Sequence, residues 1–439
     1  MPQTTAEPEA PTVGEIAMFL EEIARDLEPE LDPPRPAGRG RPRVMPALCV
    51  WGSLLLCVLE RGTSQRAIWR RIADLGLWHY RPLAVSDQAV YARLERGGVA
   101  PMERLFAGVS AALGQRLAPW TRRDLAPWAS GVYALDETTL DPLARILATE
   151  TPPTRRLPGK LAGRFNLRTQ LWERLLLLDD AQQNEKVAAR ALLLGLERGS
   201  LLLCDLGYFA FQWFDDLTQG GFHYISRWRA ATSYTVLHTF HAAGESFDGL
   251  VWLGAYRADR AAQAVRLIQF RQGGVLRRYL TNVLDPATLS PQEVAALYAR
   301  RWDIELAIKL VKTHLGLSLW WSTKDVVIQQ QLWAVLTIAQ LLQGLRLEIA
   351  GRAEVEPHDV SMAMLVEQLP QYAARGWDPI ATFLERGRRM GYIRPARRVR
   401  IEVPGFDPAT YVPPPPDLVI TRRPRYAQRN SLHRPVTAI

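Results

Sequence analysis

After Pro127 the sequence changes period, and this change most constrains the fold. Helical spacing gives way to short apolar runs: GVYAL (131–135), TQLWERLLLL (169–178), the apolar stretch 201–204 within SLLLCDLGYF, and FHYISRW (222–228). Between them lie a helical segment, DAQQNEKVAARALLLGLERG (180–199), stopped by Gly199, and a short helical FQWFDDL. Apolar runs of strand length interleaved with helices predict a mixed α/β domain. Asp136 follows the first run directly, and a turn-like ETTLDP comes after it. Asp205 ends the stretch 201–204, with Gly207 placed to let the chain turn sharply. Strand ends in such sheets are where ligands are held. A single acid there can equally cap a turn, so neither aspartate means much alone.

A second constraint is the stretch SPQEVAALYARRWDIELAIKLVKTHLG, from Ser290 to Gly316. Ser290 is placed as an N-cap, Pro291 suits the first helical position, Glu293 completes a capping box, and Gly316 offers a stop. In one uninterrupted helix Tyr298, Arg301, Glu305 and Lys312 would project within roughly 60° of one another at about 100° per residue. A tyrosine, two cations and a carboxylate on one stripe suit a surface that grips phosphate and metal together. The same stripe also describes a solvated, charged helix face.

The remaining chain sorts by composition and spacing. Residues 1–44 form an acidic and then basic arm, with an amphipathic GEIAMFLEEIARDLE and an RGRP core whose Arg39 and Arg41 resemble a minor-groove hook. The other reading of that core is a basic linker. Residues 45–126 are helical. The apolar run Met45–Leu59 is too short to span a bilayer and reads as a buried helix. TSQRAIWRRIADLG and SDQAVYARLERGG form a helix-turn-helix-like pair in which Arg66, Arg70, Arg71, Arg93 and Arg96 would meet phosphate. Residues 229–288 alternate apolar and polar positions and read as a β-rich insertion. The helix of residues 289–325 follows, then further helices over 326–395, led by the strongly apolar DVVIQQQLWAVLTIAQLLQGLRLEIAG. The tail, 396–439, carries eight arginines against three acids and a VPPPPDL segment, and no core is expected there. A net charge of +9, mostly arginine, favours a polyanionic partner. Three cysteines without a CxxC pattern imply neither a disulfide framework nor a structural zinc, which fits a reducing cytoplasm. The acidic amino terminus is unlike a signal peptide.

Two strand-end aspartates and a helix-borne glutamate, far apart in sequence, are what two-metal phosphoryl chemistry needs, because hard oxygen ligands suit Mg²⁺. The spacing Tyr298-x2-Arg301-x3-Glu305-x6-Lys312 resembles the YREK signature of DDE transposases of the family named after insertion sequence four. Asp136 in YALDETTL and Asp205 in LLLCDLGYF resemble that family's first two acidic motifs. The resemblance runs from about Arg39 to about Gly351 and implies a ribonuclease-H-like core with a β-rich insertion, a helical DNA-binding domain before it and helices after it. It further implies that Asp136, Asp205 and Glu305 bind two Mg²⁺ ions, for which Mn²⁺ can substitute. Tyr298, Arg301 and Lys312 would hold phosphates of the transposon end, with Trp302 packed beside them. Arg227 is similar to a family arginine, and Trp252 is a candidate to receive a flipped base. Implied partners are double-stranded DNA, as inverted repeats and target, and a second subunit in a synaptic homodimer. No membrane is implied, and the setting is the nucleoid-associated bacterial cytoplasm. Two other readings stand beside a cut-and-paste transposase, with or without a hairpin intermediate: an inactive or domesticated DNA-binding protein, and a same-fold nuclease without strand transfer.

Overall fold

The computed structural model describes residues 13–31, 44–77, 80–140, 159–180, 186–255, 259–317, 319–396, 403 and 405–426. In chain order the helices are α1 (Val13–Asp26), α2 (Glu28–Leu31), α3 (Ala47–Leu59), α4 (Gln65–Arg70), α5 (Asp87–Gly97) and α6 (Ala100–Arg116). Then come α7 (Lys186–Leu192), α8 (Phe211–Gln219), α9 (Pro291–Ala299), α10 (Trp302–Lys309), α11 (Asp325–Arg352), α12 (Met362–Arg375) and α13 (Pro379–Arg386). The strands are β1 (Val132–Thr139), β2 (Lys160–Asn166), β3 (Leu171–Leu178), β4 (Leu201–Cys204), β5 (His223–Arg227), β6 (Tyr234–Ala243), β7 (Ser246–Leu253), β8 (Val265–Gln272) and β9 (Val275–Thr281). The chain divides into two units, one of residues 1–121, 150–158 and 307–397, the other of 122–149, 159–306 and 398–439.

The first unit is helical. All but one residue of α3 is buried, as its unbroken apolar run requires. The 28-residue α11 is long and apolar enough to cross a membrane, yet 94% of its apolar window is covered by protein. Two glycines let this helix approach the α6 region closely. A Cβ on Gly344 would lie 2.8 Å from Leu113 Cδ2, and one on Gly351 would collide with the Trp120 ring. Buried polar groups on α11 are used: Gln330 Nε2 donates to the carbonyls of Leu94 (2.8 Å) and Gly98 (2.7 Å) at the end of α5. Glu348 takes Arg116 at 2.8 Å and Arg352 at 2.7 Å. The expected helix-turn-helix-like pair is α4, extended by a π-helical turn Arg71–Leu75, and α5, where Ser86 caps by accepting Ala89 N–H. Its arginines are less free than expected. Arg66 lies 3.7 Å from Asp87, Arg71 pairs with Glu60, and Arg93 is half-buried with its pKa lowered by that burial. Arg70 and Arg96 are exposed.

The second unit is built on one nine-stranded sheet in the order β3-β2-β1-β4-β5-β9-β8-β7-β6. β1, β4 and β5 run parallel at its centre, and all other neighbouring strands pair antiparallel. α7 and α8 bury Ala188, Ala189, Leu192, Trp213, Phe214 and Leu217 against Leu135, Leu202, Tyr224 and Leu253, with Phe214 stacked on Tyr224 at 4.6 Å. A central strand covered in this way reads as continuous apolar sequence. That is why Leu201–Cys204 was legible.

Residues 229–288 form β-structure, and because β9 pairs with β5 these strands continue the central sheet. The structure departs from the sequence pattern at three points. β2, KLAGRFN, is a strand the sequence pattern did not mark. The helix expected from Ser290 to Gly316 is broken: α9 ends at Ala299, Arg300 and Arg301 form a turn, α10 follows, and Leu310–His314 is π-helical. Finally, the basic tail has a docking place. Its backbone bridges Arg260 to Arg425 and Gln263 to Thr421, and Val412 N–H donates to Phe240 O at 2.9 Å. The Tyr411 hydroxyl donates to Asp248 at 2.8 Å, Tyr426 bonds Asp215, and Arg422 lies 4.5 Å over the Trp252 ring while donating to Leu253 O and Ala261 O. Arginine there serves packing against the sheet.

Candidate active site

Asp205 follows β4 directly and opens a 3-10 turn, Leu206–Tyr208, by accepting Leu206 N–H at 2.5 Å. Asp136 differs from expectation: it lies inside β1, which runs on to Thr139 because Glu137, Thr138 and Thr139 pair with Ala162, Leu161 and Lys160. β1 and β4 are in parallel register only from Val132↔Leu201 to Ala134↔Leu203. Two residues further along that register, Asp136 stands beside Asp205, at the carboxyl edge of the parallel pair. Both are partly exposed.

The third acid arrives by helix. The capping box expected at Ser290 is present, with Glu293 N–H donating to Ser290 Oγ at 3.2 Å and Ser290 N–H to Glu293 Oε2 at 2.8 Å. At the other end of α9, Tyr298 is 5% exposed and its hydroxyl donates to Cys204 O at 3.4 Å, one residue before Asp205. Its ring packs 5.1 Å from that of Tyr279 on β9. At the start of α10, buried Asp303 accepts Gln170 Nε2 at 3.1 Å from the β2–β3 turn. Sequence reasoning missed Asp303 and Gln170. No local signal marks them except the positive φ (59°) that the turn imposes on Gln170. These two anchors set the start of α10 against the sheet, and Glu305 is two residues beyond Asp303.

The electrostatics show the acids to be near one another. Burial pushes Asp136 up to about 7; the Asp205 and Glu305 charges add to the rise, while Glu137 N–H and Arg301 oppose it. Burial also lowers Arg301, but the Tyr298 hydroxyl and the carboxylates of Asp205 and Glu305 outweigh it and leave its pKa raised. Arg301 is 5% exposed, and its Nη2 donates to Glu305 Oε1 at 2.5 Å. Its Nε and Nη1 have no hydrogen-bond partner among the described residues. A buried guanidinium with unused donors beside carboxylates suits an anion such as phosphate. Burial, the largest influence, raises the Tyr298 pKa as well. The charge of Arg227, exposed at the end of β5, reaches both Tyr279 and Tyr298.

Trp302 is not packed: it is 58% exposed at the start of α10. Trp252 is 9% exposed under Arg422, so one of its faces is taken. Lys312 sits on the π-helical turn in the first unit and is partly exposed. Arg39 and Arg41 lie outside the described residues. Among the described residues no three His, Cys, Asp or Glu side chains are grouped closely enough to hold a metal as they stand. Asp136 Oδ1 is turned to Glu137 N–H, and Glu305 to Arg301. The donor chemistry nevertheless fits a hard divalent cation, since three carboxylates within electrostatic reach of one another, one of them raised chiefly by burial, offer the oxygen ligands that such an ion takes.

Comparison with known proteins gives two matches. The curated Sinorhizobium fredii (strain NBRC 101917 / NGR234) protein named "Putative transposase y4zB" is 25% identical over 178 residues, which cover 39% of this chain and 49% of that protein. The chain thus spans about half the length of the curated relative it matches. Residues 158–342 are similar to the family model described as Transposase DDE domain, a span that takes in Asp205 and Glu305 and begins after Asp136.

Proposed function

We propose that this chain is a DNA transposase of the insertion-sequence-four kind, which hydrolyses the 3′ ends of its element and joins the freed hydroxyls to target DNA. One observation carries the reading: two residues past the last β1–β4 pairing, Asp136 and Asp205 come level at the carboxyl edge of that parallel pair, within electrostatic reach of Glu305. Two Mg²⁺ ions, or Mn²⁺, bound at these three carboxylates would activate the attacking oxygen and stabilise the leaving one. Asp136 and Asp205 hold the site from the rigid sheet, and Glu305 closes it from α10. Arg301 supports Glu305 and turns its free donors to phosphate, while Tyr298 pins α9 to the end of β4. Arg227 and Lys312 add phosphate contacts. Residues 45–126, with Arg39 and Arg41 ahead of them, bind the inverted repeats. Two subunits pair the ends, in a bacterial nucleoid and without a membrane. Second-strand cleavage proceeds with or without a hairpin intermediate.

Asp136→Asn, Asp205→Asn and Glu305→Gln each abolish cleavage of end-containing DNA and leave end binding largely intact, because phosphate contacts remain. Full Mg²⁺-dependent nicking by any of the three would sink the assignment. The turning of Glu305 onto Arg301 favours a second reading, a DNA-binding protein that does not cleave. A labelled, pre-cleaved end incubated with plasmid target decides between them, and also sets aside a nuclease without strand transfer: only a transposase gives joined product.

A further inference from the structure

The turn between α12 and α13 gathers positive charge that the site above does not use. Among residues 375–396 are five arginines, Arg375, Arg386, Arg388, Arg389 and Arg394, and two acids, Asp378 and Glu385. Asp378 is spent inside the fold, capping α13 by accepting Ile380 N–H at 2.7 Å and Ala381 N–H at 3.0 Å. Glu385 lies 3.8 Å from Arg386 with its side chain 73% exposed, a geometry worth little in water. Trp377, 38% exposed, sits in the turn with a guanidinium from each helix on its ring: Arg386 at 4.8 Å and Arg375 at 5.3 Å from the centroid. Stacking fixes the plane of a guanidinium and leaves its N–H edges for phosphate. Arg388, Arg389 and Arg394 follow, all exposed.

Within residues 375–396 arginines outnumber acids five to two, and Asp359, which lines a cleft with Arg394, has its carboxylate taken by Ala396 N–H at 2.7 Å and Glu356 N–H at 3.3 Å. We infer that this face, from Arg375 through Trp377 to Arg394, is a second DNA-binding surface that grips the phosphodiester backbone of a duplex without reading its sequence. Arginine matches phosphate in charge and in planar geometry, and the half-exposed indole offers an apolar surface to the sugar. The inference rests on the reading of the chain as a protein that acts on DNA, but not on whether the acids cleave it.

The test is equilibrium binding of the full chain to a labelled duplex of arbitrary sequence, in EDTA, across about 50 to 200 mM salt. Arg375→Gln/Arg386→Gln/Arg389→Gln is expected to lower the slope of log affinity against log salt by about 2 to 3, at about 0.9 for each phosphate that the protein no longer neutralises. The same three positions changed to lysine keep the slope, since the charge remains. Arg389→Gln/Arg394→Gln, which leaves the Trp377 stack intact, lowers the slope by about 2. An unchanged slope in both glutamine variants overturns the inference. So does a variant whose sedimentation shows a dissociated oligomer while its salt slope is retained, because the face would then join subunits. Because no metal is present, a failure of the cleavage reading leaves this measurement untouched.

Discussion

Tyr298 distinguishes a residue that touches DNA from one that holds the site in shape. Its ring is buried between Tyr279, 5.1 Å away, and the Arg301 guanidinium, 5.8 Å away, and its hydroxyl reaches Cys204 O at 3.4 Å. A bond at that distance is near the limit of hydrogen bonding, so removing it costs about 0.5 to 1 kcal/mol. Removing the ring leaves a cavity beneath α9 and costs about 3 to 5 kcal/mol. Tyr298→Phe should therefore fold with a nearly unchanged urea midpoint, bind end DNA as the parent does, and still cleave. Tyr298→Ala should lose most of its stability margin and its cleavage together, because α9 is freed from the end of β4. Urea unfolding followed by fluorescence, with end binding and cleavage on the same preparations, separates the two. A Tyr298→Phe protein with an unshifted midpoint but end binding weakened more than tenfold, about 1.4 kcal/mol, would refute the reasoning. Its hydroxyl would then be bonded to phosphate and not to the Cys204 carbonyl.

Other expectations concern the frame around the site. Asp248→Ala leaves Arg266 buried without its carboxylate, formerly at 2.6 and 2.7 Å, and should cost about 3 to 5 kcal/mol in urea unfolding. Gly344→Ala forces a methyl against Leu113 and should destabilise by about 1 to 3 kcal/mol, less the roughly 1 kcal/mol that alanine gains in a helix. Arg422→Ala should expose Trp252, shift its fluorescence and make the tail trypsin-sensitive, whereas unchanged cleavage kinetics would show that the tail is held by other contacts. Mg²⁺ at a hundred times its dissociation constant should raise the unfolding free energy by about 2.7 kcal/mol, an increase absent in Asp205→Asn.

The parts of the fold that local chemistry determines were readable from sequence. The apolar run of β4, the capping box at Ser290 and the amphipathic spacing of α8 each carry their signal within a few residues. β2 does not, because its lysine, glycine, arginine and asparagine join a sheet only through pairing with β1 and β3 on both sides. Its Arg164 donates through Nη1 to a distant carbonyl, Leu192 O at 2.6 Å. The polar DETT of β1 reads as a turn for the same reason, and is a strand because β2 lies alongside. The break at Arg300 and Arg301 escaped notice since the 298-301-305 spacing fits a continuous helix equally well. Tail docking depends on contacts across more than a hundred residues, to which composition is blind.

The way the acids are held indicates which of them has to move for the site to close. Asp136 is fixed in a strand paired on one side to β2, and Asp205 is fixed by the turn it caps, so neither backbone can shift without breaking ladder or turn bonds. Glu305 is held differently. Its backbone is set by the anchors of Tyr298 and Asp303, but its partly exposed carboxylate is turned by one bond, to Arg301. An ion pair four residues apart on a helix is worth about 0.3 to 0.5 kcal/mol at a surface, and breaking it costs more where the partner left behind is buried. Were a divalent cation held by Asp136 and Asp205, Glu305 could join it by a side-chain rotation with no backbone shift, giving up its ion pair with Arg301. Closure at Glu305 would free a third arginine donor, Nη2, beside two that already lack partners, so gathering the carboxylates and opening Arg301 to phosphate are one and the same motion.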